Sequence, residues 1–73
     1  MNREQYRRAI ARLGLSQERA GSWLGKSGRT SQGWAIGEQP VPPMVAMLLA
    51  VADEYELSPD DITALVRKRR WHQ

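Results

Sequence analysis

Residues that start and stop helices cut this chain into five segments, and that punctuation limits the fold more than any other feature. Asn2 is placed to cap a first helix, with Gln5 three residues on completing a capping-box pattern. Tyr6, Ala9, Ile10 and Leu13 recur at helical spacing, Arg3, Arg7, Arg8 and Arg12 take the remaining faces, and Gly14 ends the segment. Ser16 caps a second helix running to about Leu24, with Glu18 in its first turn where the helix dipole favours an anion, and Gly25 stops it. Ser27 caps a third, running to about Ile36, which Gly37 closes in the left-handed conformation. Prolines stiffen the loop "EQPVPP", and Pro42 or Pro43 opens a fourth helix. Val45, Leu48, Leu49, Ala52 and Tyr55 form its expected buried stripe, widened by Met44, Met47 and Val51, which predicts this most apolar helix at the centre. "SPDD" at Ser58 to Asp61 stacks three start signals for a fifth helix, with Ile62, Leu65 and Val66 as its expected buried face. Residues 67–73, "RKRRWHQ", follow as a basic helix end or tail. The expectation is a single all-α domain over residues 1–73.

Composition narrows the function classes. Phe is absent, and the apolar weight on Leu, Ile, Val, Met and Ala suits packed helices better than sheet. With no cysteine, a disulfide framework and a thiolate metal site are both impossible; a metal site would rest on His72 alone, so none is expected. The run from Met44 to Ala52 falls far short of the ~20 residues of a membrane span, and "MNREQYRR" lacks the apolar region of a secretory signal. A soluble, cytoplasmic protein is the expectation. The net charge of +3 is unevenly placed: residues 1–29 carry seven basic and two acidic side chains, residues 30–66 six acidic and no basic ones, and residues 67–70 are all basic. Such segregation gives part of the surface a field that attracts polyanions.

Gly25-Lys26-Ser27 ends like a phosphate-cradling nucleotide loop. That loop needs a glycine five positions before Gly25, where Ala20 stands, and a buried strand upstream, where caps and periodicity predict a helix. The carboxylates Asp53, Glu54, Glu56, Asp60 and Asp61 gather at a helix junction, where capping and solvation account for them. No enzyme and no cofactor are expected, and no pocket for a small-molecule effector is apparent.

The same residues serve a different purpose in "LSQERAGSWLGKSGRTSQGWAIG", Leu15 to Gly37. This stretch resembles the Cro/cI-type helix-turn-helix family of phage repressors and small bacterial regulators, also called the XRE family. The family pattern is close to L-S-Q-x-x-L-A-x-x-L-G-V-S-x-x-x-I-S-x-W-E-x-G, and Leu15, Ser16, Gln17, Leu24, Gly25, Ser27, Trp34 and Gly37 match it without a gap. The resemblance implies a compact five-helix, lambda-repressor-like domain with the helix-turn-helix at about residues 16–36. It also implies sequence-specific binding of double-stranded DNA by a transcriptional regulator, most often a repressor, whose recognition helix, about residues 28–36, enters the major groove. The base readers it selects are Gly28, Arg29, Thr30, Gln32 and Gly33. Among them Arg29 suits guanine, Gln32 adenine, and Thr30 a thymine methyl or a phosphate. Gln17 falls on the family's phosphate-binding position, with Ser27, Lys26, Arg12 and Arg19 as further backbone contacts. One helix in one groove reads few bases, so a homodimer on a two-fold-related site with half-sites ~34 Å apart is implied. Its expected surface is the fifth helix with the loop before it, using Leu57, Leu65 and Trp71.

Departures from the pattern are equally specific. Ala20 and Ser31 stand where the family prefers larger apolar residues, Lys26 where it prefers valine, and Ala35 where it often has glutamate. Trp23, at a usually polar position, is expected to fold its indole over the gap at Ala20; left exposed, it would mark a protein contact. The loop "GEQPVPP" has no basic residue, so the phosphate grip falls to backbone N–H groups or to the basic tail. These departures, with the acidic middle of the chain, favour a second reading, a protein-interaction module or antitoxin-like partner that keeps the fold with little sequence-specific DNA binding.

Overall fold

Side chains fix where four of the five helices begin. The computed structural model describes residues 1–69 as α1 (Arg3–Arg12), α2 (Gln17–Trp23), α3 (Gly28–Ile36), α4 (Pro43–Glu54) and α5 (Pro59–Arg69), with no strand among the described residues. The chain is all-α. At α1 the capping box is complete: Gln5 N donates to Asn2 Oδ1 at 2.8 Å, and Asn2 N donates to Gln5 Oε1 at 2.9 Å. Ser16 Oγ accepts from Arg19 N and Ser27 Oγ from Thr30 N, each at 3.1 Å. Ser58 and Asp61 exchange two such bonds, of 3.0 and 2.9 Å, at the start of α5. Pro43 opens α4 with Pro42 extended before it. Gly14, Gly25 and Gly37 all take positive φ, as their places after helix ends require. Glu56 does the same after α4, at φ 52°, without glycine's freedom. Trp71, His72 and the end of the basic tail lie outside the described residues, whereas Arg67, Lys68 and Arg69 form the last turn of α5.

The core lies where α1 meets α3 and α4, and α2 packs chiefly against α3. Tyr6, Ile10, Ala20, Trp34, Ala35, Val41, Val45 and Leu49 form one buried cluster. Tyr6 and Trp34 meet edge to face, ring centroids 5.6 Å apart and planes at 84°. The Tyr6 hydroxyl reaches Ser31 Oγ, and both residues are fully buried. The volume missing at Ser31 is thus occupied by a tyrosine of α1, whose one polar atom the serine satisfies.

Two expectations about burial are corrected. In α4 only Val45, Leu49 and Ala52 are buried; Leu48 is half-buried, while Met44, Met47, Val51 and Tyr55 are exposed, Met44 and Tyr55 by more than 70%. One stripe of α4 finds a partner in α1, and no described element covers the others, so α1 rather than α4 is the central helix. In α5, Ile62 is half-buried but Leu65 and Val66 are exposed, and no residue of this helix is buried. Trp23 provides a tether: its half-buried indole packs against the core and donates from Nε1 to Thr63 Oγ1 at 3.2 Å. The indole is therefore not left exposed; it folds onto the buried cluster that contains Ala20. No helix among the described residues is long and apolar enough to cross a membrane.

Candidate nucleic-acid interface

A tight turn sets α3 against α2. A Cβ on Gly21 would stand 2.5 Å from the Ser27 carbonyl oxygen, a separation no side chain tolerates, so the chain can fold back here only over a glycine. Lys26 N donates to the Gly21 carbonyl at 2.8 Å and closes the turn, with Gly25 left-handed at its apex. The Gly25-Lys26-Ser27 sequence therefore follows a helix and makes a corner between helices, with Ser27 spent on capping α3.

This corner exposes the first half of α3. Arg29 and Gln32 point outward and share a shallow groove with Gln17 and Glu18 of α2 and with Gly28. Three of the residues selected for base and phosphate contact, Arg29, Gln32 and Gln17, are thereby brought onto one surface. Thr30 is half-buried, and its hydroxyl lies 3.0 Å from Ser27 Oγ, so both hydroxyls already serve the cap. Arg19 and Lys26 are exposed, and neither side chain is in an ion pair or hydrogen bond among the described residues. At the far end of α3, Arg3 Nη1 donates to the Ile36 carbonyl at 3.4 Å while its side chain lies over Gly37.

Three assigned residues do something else. Gly33 is buried, and a Cβ there would meet the Gln39 side chain at 3.8 Å; it faces the loop after α3, and its carbonyl accepts from the N–H groups of Gly37, Glu38 and Gln39. It cannot be a base reader. Gly28 borders the groove, yet a Cβ there would stand 3.0 Å from Glu18 Cγ, so its bare Cα serves the close approach of α3 to α2. Arg12 donates to both carboxylate oxygens of Asp53, at 2.8 and 2.9 Å, across α1 and α4, and does not line the groove. Both bonds come from one guanidinium nitrogen, Nη1, and the pair is exposed to solvent, where such ion pairs contribute little.

Two residues were missed. Glu18 looked like a dipole partner for α2, and only the packing of Gly28 against it shows that it borders the groove. Arg7 lines a neighbouring depression with Ser16, Gln17 and Glu18, which places a guanidinium beside the start of α2; the run of arginines in the first helix contained it without distinguishing it. Chemically the surface offers guanidinium and amide groups for hydrogen bonding, one carboxylate acceptor and additional positive charge at its edges. Comparison with known protein families, with characterised proteins and with solved structures finds no match for this chain.

Proposed function

We propose that the protein binds double-stranded DNA in a sequence-specific manner and regulates transcription, as a repressor in the manner of the Cro/cI-type regulators that its Leu15–Gly37 segment resembles. One observation carries this reading: Arg29 and Gln32 stand exposed on α3 and share one groove with Gln17 of α2. Arginine and glutamine are the side chains that pair bidentately with guanine and adenine edges in a major groove wide enough to admit a helix. Arg7 lines the neighbouring depression beside Gln17 and Glu18, and Arg19 of α2 and Lys26 of the turn are exposed; these cations supply charge that attracts phosphates. The protein acts by binding, without catalysis, in the cytoplasm, as a homodimer across a two-fold-related site. Leu65 and Val66, exposed on α5, are the apolar surface for that pairing.

The exposed Met44, Met47 and Tyr55 favour a second reading, a module that binds another protein through α4 with little DNA specificity. Selection from a random duplex pool separates the two. A DNA reader enriches one motif, and Arg29→Ala loses preference at a single guanine, at a cost of ~1 to 3 kcal/mol, while the other positions persist. An identical motif from Arg29→Ala removes Arg29 as the reader; no motif from the wild type leaves the protein-binding reading.

A further inference from the structure

We propose that Glu18 is a specificity determinant of the groove between α2 and α3: its carboxylate accepts a hydrogen bond from the exocyclic amino group of cytosine or adenine and keeps phosphates off that part of the face. This rests on the DNA-binding reading above. Among the described residues that line the groove, Gln17, Glu18, Gly28, Arg29 and Gln32, Glu18 alone is acidic. Its place is set by packing. The Cβ position of Gly28 lies 3.0 Å from Glu18 Cγ and 3.3 Å from its Cα, so the stem of the side chain rests against the first residue of α3. Any larger residue at position 28 would push it away.

An ionised carboxylate has acceptors and no donor. On the major-groove edge of a duplex it can therefore bond only to amino groups, cytosine N4 or adenine N6, and it is repelled by the backbone phosphates. Arg29, in the same groove, has only donors and suits the O6 and N7 acceptors of guanine. The two side chains thus divide the base edges by chemistry, one reading acceptors and the other donors. Glu18 is in no ion pair among the described residues, so its carboxylate is not committed elsewhere.

A role confined to the dipole of α2 would alter stability and leave DNA preference untouched, which makes the proposal testable. Wild type, Glu18→Ala and Glu18→Gln are taken through duplex selection, with circular dichroism melting to show that each variant is folded. The wild-type motif is expected to contain an amino-bearing base near the guanine that depends on Arg29. Glu18→Ala should reduce discrimination there by at least about fivefold while the guanine persists. Glu18→Gln, which removes the charge and keeps the length, should bind a random-sequence duplex more tightly than wild type at low salt, with the gain shrinking as salt rises. A folded Glu18→Ala protein that returns the wild-type motif unchanged overturns the proposal alone, as does a Glu18→Gln protein with no gain at low salt. A wild type that enriches no motif overturns the DNA-binding reading and the proposal with it.

Discussion

Tyr6 and Ser31 each bury a hydroxyl that, among the described residues, is satisfied by the other. Tyr6→Phe leaves the serine without that partner, at a cost of ~1 to 3 kcal/mol, whereas Tyr6→Phe with Ser31→Ala removes both polar atoms. Urea unfolding of the two single variants and the double variant should show a non-additive pair, with the double change costing less than the singles together; strict additivity would mean that the hydroxyls are not coupled. Burial holds the Tyr6 hydroxyl above its ordinary value near 10, and the Ser31 hydrogen bond offsets part of that rise. The folded state keeps this proton more tightly than the unfolded chain does. Its contribution is therefore whole below about pH 10 and is lost as pH rises through the raised value. Urea midpoints at pH 9 and pH 11 should fall less for Tyr6→Phe than for wild type, and equal falls would exclude Tyr6 as the source. Neither residue announced this partnership in the sequence. Ser31 read as lost volume and Tyr6 as one member of an apolar stripe, because a contact spanning 25 positions has no local signature.

At the scale of the element, starts and stops were legible because they depend on atoms three or four residues apart. Asn2, Ser16, Ser27 and Ser58 cap where they were expected to, Gly37 takes the left-handed conformation foreseen for it, and Gly14 and Gly25, expected to end their helices, do so with positive φ as well. Burial was less legible. The fourth helix carries apolar residues on several faces, and which face is covered depends on where α1 lies, which α4's own periodicity does not contain. The candidate site divides the same way: Arg29, Gln32 and Gln17 converge, while Arg12 is captured by a carboxylate 41 positions away and Gly33 turns toward the loop after α3. The joint of α2 and α3 can be tested directly. Gly21→Ala forces a Cβ toward the Ser27 carbonyl, so one of the two helices must shift. The expected loss is ~1 to 3 kcal/mol of stability by thermal or urea unfolding, as for other overpacked sites. Unchanged stability would show that the joint yields at no cost.

For the whole molecule, the DNA-binding proposal is decided by how affinity depends on salt and on sequence. Arg29 lines the groove and Arg7 the depression beside it, whereas five of the six carboxylates in residues 30–66 lie in the stretch from Asp53 to Asp61. A charged surface alone gives affinity that vanishes with salt, while hydrogen bonds to base edges give a preference that survives it. The direct measurement is the binding of the protein to its selected duplex and to a scrambled duplex of the same composition, followed by fluorescence anisotropy at 50 and 200 mM salt. Sequence-specific recognition predicts that both affinities fall with salt while the selected duplex stays ahead by roughly 10³-fold or more. Equal affinities for the two duplexes, lost together as salt rises, would contradict it.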